Sequence, residues 1–241
     1  MPPAIRPGAG FGDELAVFVG QRGHLHTFDE LLVSRLRRHL GSRVLEVGCG
    51  EGTMTRLLAD RELVVAIDID SANVREVAAR FNGYPNVVSM QLDITQPGDR
   101  LRRFRLDSAI CSNVLEHIRD DGLALRQISS VLPRGAKLVL VVPAGPWLYG
   151  RMDVALGHYR RYSREDLRAK VRLAGFVETR IYCFNALGVV GWFVNGKIFR
   201  RRTLPEWQLR VFNRIARPVL SIESHLPLNT GLSLVMVCAK Q

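Results

Sequence analysis

The chain has 241 residues, of which 47% are hydrophobic, and this is enough to build one large core, so we expect a single domain over residues 1–241. No apolar run reaches the roughly 18 residues of a membrane-spanning helix, and residues 1–8 lack the apolar core of a signal peptide. The formal net charge is +11, and the four cysteines are far apart without a C-x-x-C pair, which predicts reduced cysteines and a cytoplasmic location.

Two helical patterns come first in the chain, over residues 13–20 and 27–40, after an irregular segment over 1–12. We expect residues 1–40 to form a helical cap on the rest of the molecule. From residue 41 to 142, strand and helix patterns alternate. This alternation predicts βαβ crossovers and a parallel sheet covered on both faces.

The most informative segment lies at the end of the first strand, where residues 44–53 are Val-Leu-Glu-Val-Gly-Cys-Gly-Glu-Gly-Thr. Its apolar residues predict a buried strand, and Gly48, Gly50 and Gly52 let the backbone bend tightly and approach a ligand. A helix that begins near Thr53 points its free N–H groups into the same space. A dinucleotide fingerprint needs glycine at the first, third and sixth positions, and the sixth position is Thr53, so a nicotinamide cofactor is not expected. The alternative is a plain strand-to-helix turn whose glycines only relieve strain.

Acidic residues follow the next two strands at their carboxyl ends. The second strand, over 63–67, is followed by Asp68, whose two carboxylate oxygens can accept both hydroxyls of a ribose. An ordinary turn aspartate is the alternative for Asp68, and for Asp70 we favour a helix-start role. The third strand, over 87–91, is followed by Asp93.

The order and spacing of these features resemble class I S-adenosylmethionine-dependent methyltransferases of the small-molecule type. The resemblance covers residues 44–118 and ends with Asn113-Val-Leu-Glu-His-Ile, which follows a fourth strand predicted over 106–112. It implies S-adenosylmethionine as the cofactor. It also implies an α/β fold, a Rossmann-like doubly wound seven-stranded sheet with an antiparallel last strand, N-terminal helices and a helical insertion before the last strand.

The resemblance also implies roles for individual residues. In the family, carboxylates near the glycine turn suit a positively charged sulfonium and ammonium, and the acid after the second strand binds the ribose. The acid after the third strand binds the adenine amino group while its neighbour packs on the ring, and the segment after the fourth strand meets the methionine end. The matching cofactor-binding residues are Glu46, Gly48, Gly50, Gly52, Asp68, Ile69, Asp93, Ile94 and Asn113. A capping or turn role is the alternative for Asp93.

The cofactor-binding core is predicted over 41–142, and the acceptor side over 143–241. Within the acceptor side, a helix is predicted over 164–174 and a strand over 176–184. The last strand is predicted over 232–239, and the resemblance implies that it lies beside the fifth. This leaves a helical insertion between the last two strands, at about 185–230.

Positive charge is concentrated in residues 151–217, which hold 15 Lys and Arg against 5 Asp and Glu, a net of +10. A solvated basic face is one interpretation, and attraction to an anionic acceptor or an anionic membrane surface is the other. An apolar run over 186–194 leads to the arginines 200–202 and then to an amphipathic pattern over 207–217. This segment fits a lid that packs on the sheet, which we favour, or an interfacial helix in peripheral contact with a membrane.

Methyl transfer to a hydroxyl requires a general base near neutrality, and our candidate catalytic residue is His158, in the string 153–163. That string resembles one in methyltransferases encoded beside glycosyltransferases in glycan and natural-product clusters. The predicted substrate-binding residues are His117, Arg160, Arg161 and Tyr162. The alternatives are histidines that only hold the local structure and arginines that only solvate the surface. His24 and His26, before the second N-terminal helix, are further candidates for contact with the acceptor.

The predicted function is O-methylation of a small or lipid-linked acceptor that is sugar-like or a secondary metabolite, by a cytoplasmic enzyme that can associate with a membrane. No set of His, Asp and Glu shows metal-ligand spacing, so we expect transfer without a metal. N- or C-methylation of a small molecule is the alternative. An RNA-binding methyltransferase is a further, less favoured alternative, because the basic third of the chain could bind nucleic acid. A nucleic-acid partner is nevertheless not our expectation, since the Asn/Asp-Pro-Pro-aromatic signature of many base N-methyltransferases is absent after the fourth strand.

Overall fold

A computed structural model describes residues 26–203, 205–223 and 229–241 of the chain. The strands are β1 (Arg43–Val47), β2 (Leu63–Asp68), β3 (Val87–Gln91), β4 (Ser108–Ser112), β5 (Lys137–Pro143), β6 (Phe176–Phe184) and β7 (Ser233–Lys240). The α-helices are α1 (His26–Leu36), α2 (Thr53–Leu58), α3 (Ser71–Arg80), α4 (Asp99–Arg102), α5 (Asp121–Val131), α6 (Arg151–Ala155), α7 (Arg164–Leu173), α8 (Ala186–Phe193) and α9 (Glu206–Glu223).

The strands form one seven-stranded sheet in the order β3-β2-β1-β4-β5-β7-β6. Strands β1 to β5 pair in parallel, and β7 is antiparallel to both β5 and β6. The predicted fold class is therefore confirmed. The strand order reverses between β1 and β4, and in open α/β sheets the crevice at the carboxyl ends of such strands is the usual ligand site.

Apolar side chains cover both faces of the sheet, as expected for buried parallel strands. Along β1, Leu45 and Val47 belong to one core, with Ile67, Ala109 and Leu140 of the neighbouring strands. Val44 points to the opposite face and packs in a second core whose buried members include Leu32, Leu36, Val64, Val139, Val235 and Val237. The second core thus joins α1 to the sheet.

The N-terminal helical pattern is shorter in the structure than predicted. Helix α1 ends at Leu36 and continues as a 3₁₀ turn over Arg37–His39. The predicted helix over 13–20 and His24 lie outside the described residues.

The segment between β6 and β7 is helical in its described part, as predicted for the insertion. Helix α8 continues into a π-helical turn over Val194–Ile198, and α9 follows and packs against α1. Within residues 26–203, 205–223 and 229–241, no helix combines the length and the apolar character needed to cross a membrane.

The loop before α7 is attached to α5 through the carboxylate of Asp121. Tyr162 donates a hydrogen bond to Asp121 Oδ2 at 2.8 Å, Arg160 pairs with the same oxygen at 2.7 Å, and Lys170 Nζ lies 3.0 Å from Oδ1. Burial alone would raise the pKa of Asp121, but the hydrogen bonds from these three side chains outweigh burial and lower it below the ordinary value of 3.8. Asp121 therefore stabilises the fold in its charged form.

We expect Asp121→Asn to lower the free energy of unfolding at neutral pH by about 2 kcal/mol, because the partly buried Arg160 and Lys170 lose their charged partner. A carboxyl with a lowered pKa stabilises the fold above its ordinary pKa, and that contribution is lost as the pH falls below 3.8. The difference from the wild type should thus shrink in acid. Urea unfolding at neutral pH and below pH 3.8 measures this difference in stability. The control is Asp99→Asn, which removes the carboxylate of an exposed ion pair with Arg102. Equal urea midpoints of Asp121→Asn and wild type at neutral pH would contradict this role.

Candidate active site

The glycine turn after β1 has the left-handed backbone that its sequence predicts. The φ angles of Gly48, Gly50 and Gly52 are +74°, +50° and +81°. The amides of Gly48 and Cys49 donate to Ile67 O at 2.8 and 3.0 Å, which ties the turn to β2. A Cβ added at Gly50 would meet no atom within 4 Å, so the turn faces open space there.

Gly48 allows the segment after β4 to approach the turn. A Cβ at Gly48 would lie 2.3 Å from Cγ2 of Val114, a distance that real Cβ atoms do not show. The neighbouring Asn113 has φ +54°, an unusual angle for a residue other than glycine, and its amide donates to Val141 O at 2.8 Å. The segment proposed to meet the methionine end of the cofactor therefore borders the glycine turn.

Asp68 connects the turn to the loop after β2. Its Oδ2 accepts a hydrogen bond from the amide of Gly50 at 2.9 Å, and its Oδ1 accepts one from the amide of Asp70 at 2.9 Å. A carboxylate oxygen has two lone pairs, so each oxygen can accept a further donor such as a ribose hydroxyl. Ile69 beside it is 68% exposed. Asp70 caps α3 by accepting from the amide of Ala72 at 2.8 Å, which confirms its helix-start role.

Glu46 is a buried acid next to the turn. Its Oε2 accepts a hydrogen bond from Thr55 Oγ1 at 2.6 Å, while its Oε1 has no hydrogen-bond partner among the described residues. Burial raises the pKa of Glu46 to about 8, although the Thr55 hydroxyl opposes this shift. A nearby cation would favour the ionised carboxylate, so the acid fits the sulfonium and ammonium of S-adenosylmethionine and does not fit a pyrophosphate.

Asp93, which follows β3, makes the contacts of a turn residue, the alternative given for it from the sequence. Asp93 Oδ1 accepts hydrogen bonds from the amide and the hydroxyl of Thr95 at 2.8 and 2.7 Å, which is a turn role. Ile94 is buried and packs in the first core. The adenine contacts of both residues stay a prediction.

A second group of polar residues lies in the loop that follows β5, around α6. His158 Nδ1 lies 3.0 Å from Asp153 Oδ1, and Arg161 Nε donates to the same oxygen at 2.7 Å. Asp153 Oδ2 accepts from the amide of Gly150 at 3.0 Å. All three ionisable side chains are at least 94% buried, and burial of a charged group without a partner would be costly.

This group meets the segment after β4, which borders the glycine turn. The amide of Tyr159 donates to Glu116 O at 2.7 Å, and His158 Nε2 lies 4.0 Å from Glu116 Oε1. The rings of His117 and His158 are in edge-to-face contact, with centroids 4.8 Å apart. The structure therefore brings together two predicted residues, His117 and His158, and adds Asp153 and Glu116.

Two of the predicted substrate-binding residues, Arg161 and Tyr162, are buried, so Arg161 does not solvate the surface, and the substrate-binding role of both stays a prediction. Arg161 is buried, donates to Ala144 O at 3.1 Å and stacks over Trp192 at 4.5 Å. Tyr162 is buried, and its hydroxyl is bound by Asp121. Arg160 pairs with Asp121 and also donates to Arg119 O at 2.7 Å. These contacts are internal to the chain, because the loop folds inward and its charges need partners.

The sequence did not predict that residues of this group could together bind a metal ion. Glu116, His117 and His158 each offer one ligand atom, and these atoms lie within 4.8 Å of one another, so the three residues could hold a metal ion. His158 belongs to a separate loop, so the set is assembled only by folding. Asp153 was also missed as a functional candidate.

The fold and the turn define a cofactor-binding methyltransferase core, and comparisons with known proteins agree. A profile of a methyltransferase domain family matches residues 22–180. A protein of Mycolicibacterium smegmatis named "Probable S-adenosylmethionine-dependent methyltransferase" is 30% identical over 165 residues, which cover 66% of this chain and 62% of that protein. The chain therefore belongs to the methyltransferase domain family.

Two further relatives illustrate the range of similarity. A ubiquinone biosynthesis O-methyltransferase of Xanthomonas oryzae is 28% identical over 127 residues, covering 50% of this chain and 52% of that protein. The solved S-adenosylmethionine-dependent methyltransferase of Mesorhizobium loti superposes with a TM-score of 0.59 at 15% identity, covering 86% of this chain and 96% of that one. The chain spans between half and two thirds of the length of these curated relatives.

Asp68→Ala is expected to weaken S-adenosylmethionine binding about ten- to a hundredfold, because charge-assisted hydrogen bonds to the ribose would be lost. Calorimetric titration measures the affinity. The matched control is Asp70→Ala, which removes a helix cap and should leave the affinity unchanged while costing about 1 kcal/mol of stability. An unchanged affinity of Asp68→Ala would remove the ribose assignment.

Glu46→Gln is expected to remove a pH dependence of stability. The pKa of Glu46 is about 8 in the folded chain against an ordinary 4.5, so its contribution is complete below 4.5 and is lost as the pH rises towards 8. The cofactor-free wild type should therefore lose melting temperature relative to Glu46→Gln over this range. Glu51→Gln, in an exposed position of the same turn, is the control. If the melting temperatures of wild type and Glu46→Gln changed with pH in parallel, the pKa of Glu46 would not be raised by folding.

Proposed function

We propose that this methyltransferase methylates an oxygen atom of a small or lipid-linked acceptor, sugar-like or a secondary metabolite, without a metal ion. The observation that carries the proposal is the pair His158–Asp153, held beside the segment that follows β4. The runner-up is N- or C-methylation of a small molecule; a neutral amine has less need for a general base than a hydroxyl has. We further propose a cytoplasmic role in natural-product or glycan biosynthesis.

The Asp153 carboxylate orients the His158 ring. When Nδ1–H donates to Asp153 Oδ1, Nε2 carries the lone pair that can accept a proton. The backbone of His158 is held as well, because Tyr149 donates its hydroxyl to His158 O at 2.8 Å and the amide of His158 donates to Asp153 O at 2.9 Å. A base fixed in this way needs little reorganisation during the reaction.

Charges around His158 suit the protonated ring that results. Asp153 lies at Nδ1 and Glu116 lies near Nε2, so two carboxylates flank one imidazole. Arg161 balances one of these negative charges. A proton taken from an acceptor hydroxyl would balance the other, in a buried environment where such interactions are strong.

The remaining residues bind and align the reactants. S-adenosylmethionine supplies an activated methyl group on a sulfonium. Glu46, the glycine turn, Asp68 and Asn113 are the residues that would hold it, and His158 would take the proton of the acceptor oxygen. The protein otherwise needs to align the acceptor with the methyl carbon and to exclude water.

Relatives support an oxygen acceptor. One of them is named a ubiquinone biosynthesis O-methyltransferase, although this chain covers only 52% of it. A nucleic-acid acceptor has weaker support, because the segment after β4 is Asn113-Val-Leu-Glu and lacks the signature of many base N-methyltransferases.

His158→Gln is expected to lower kcat for hydroxyl acceptors about 10²- to 10⁴-fold with unchanged affinity for S-adenosylmethionine, because the general base is lost. Transfer of labelled methyl groups to a panel of phenolic, sugar and amine acceptors measures this. Asp153→Asn should lower kcat in the same direction and alter its pH profile. His39→Gln, in the 3₁₀ turn after α1, is the control.

Two outcomes of this assay would contradict the proposal. Equal loss of activity on amine and hydroxyl acceptors would assign His158 a structural role. Activity abolished by a chelator and restored by a divalent metal would assign Glu116, His117 and His158 to a metal site.

A further inference from the structure

We propose that the helical insertion, together with the loop after β5, docks on an anionic membrane surface. The docking surface consists of the exposed apolar residues Trp147, Val190, Phe193, Phe199, Trp207, Val211 and Ile215. The arginines Arg200, Arg201 and Arg202 lie within it. This proposal concerns a partner of the protein and does not depend on the identity of the methylated atom.

The first part of the docking surface joins α8 to the loop after β5. The rings of Trp147 and Phe193 are 6.1 Å apart, although the two residues are distant in the chain. Lys197 Nζ donates to Tyr149 O at 2.6 Å, which fixes the π-helical turn to the same loop. Trp147 remains 57% exposed, and tryptophan favours the boundary between headgroups and hydrocarbon.

The second part joins the π-helical turn to the start of α9. The Asn195 amide group donates to Gln208 Oε1 at 2.7 Å, and Arg201 donates to Asn195 Oδ1 at 3.1 Å. The Arg201 guanidinium also lies 5.1 Å from the ring centroid of Phe199. Arg201, Arg202 and Trp207 line one open groove, so the arginines and the aromatic side chains share a surface.

Helix α9 extends this surface with an exposed apolar stripe. Trp207, Val211 and Ile215 follow one another at intervals of four residues and are 59%, 51% and 38% exposed. Side chains at this spacing lie on one helix face. Arg210 and Arg214 are exposed beside the stripe. Apolar and cationic groups together are typical of an interfacial helix.

The positive charge and the aliphatic side chains of the docking surface indicate which partner binds there. Arg200, Arg201, Arg202, Arg210 and Arg214 are exposed on this segment, so a second copy of this chain would meet like charge there. Nucleic acid would use the arginines and aromatic rings, but it offers nothing to the aliphatic side chains of Val190, Val211 and Ile215. An anionic bilayer offers phosphate groups to the arginines and hydrocarbon to the aliphatic residues.

Docking there would bring the membrane close to the proposed catalytic loop. Tyr149, whose carbonyl binds Lys197, also donates its hydroxyl to His158 O at 2.8 Å. A lipid-linked acceptor would then reach the site from the bilayer. This last step rests on the proposed function, whereas docking itself does not.

Flotation with vesicles tests the proposal on the full chain. The wild type should float with vesicles of phosphatidylglycerol and phosphatidylcholine, should not float with phosphatidylcholine alone, and should be released by salt. The double variant Arg200→Gln/Arg202→Gln should weaken partitioning about tenfold or more, since each basic residue near the surface contributes about a fivefold effect. The double variant Trp207→Ser/Val211→Ser should weaken it about tenfold or more as well, because apolar area that would be buried in the bilayer is lost. Leu173→Ser and Arg100→Gln/Arg134→Gln, at exposed positions outside the surface, should partition like the wild type.

Three results of the flotation experiment would contradict membrane docking. A wild type that stays with the unbound fraction, equal flotation with neutral vesicles, or variants that match their controls would each overturn the proposal. Binding of bulk RNA that depends on the same residues while vesicles do not bind would assign the surface to nucleic acid. Titration of S-adenosylmethionine without vesicles keeps a failure of cofactor binding distinct from a failure of docking.

Discussion

One carboxylate, that of Asp68, joins the two loops that border the proposed cofactor site. It accepts the amide of Gly50 with one oxygen and that of Asp70 with the other, both at 2.9 Å, so the turn after β1 and the loop after β2 share one anchor. Parallel pairing puts both at the same edge of the sheet. Because Gly48 has no Cβ, Val114 can pack on the turn and bring the segment after β4 to that edge. Three loops thus converge around the open space at Gly50.

Buried charge organises the acceptor side in a comparable way. Asp153 is surrounded by His158, Arg161 and the amide of Gly150, while Asp121 receives donors from Tyr162 and two cationic side chains. A buried carboxylate is tolerated only when such donors are present. The loop after β5 is therefore positioned by charge pairing as well as by apolar packing, and His158 is held in one orientation beside the segment after β4.

The sheet was largely predictable from the order of residues, because strand periodicity and turn chemistry are local properties. Strand β6 has the predicted bounds, and the antiparallel β7 lies beside β5, although that placement came from the family resemblance. Helix ends were less predictable. The pattern over 27–40 suggested one helix, whereas the α-helix ends at Leu36 and a 3₁₀ turn follows, since apolar spacing does not distinguish the two.

Local patterns in the chain were sufficient to predict the glycine turn and the position of Asp68 at the end of β2. Both depend on backbone geometry within a strand–turn–helix unit. Folding was required to show that Arg161 and Tyr162 point inward and that Asp153, Glu116 and His158 meet. Their partners come from separate elements of the fold. Whether a charged side chain is buried depends on the donors and acceptors that those elements bring to it, and no spacing along the chain contains that information.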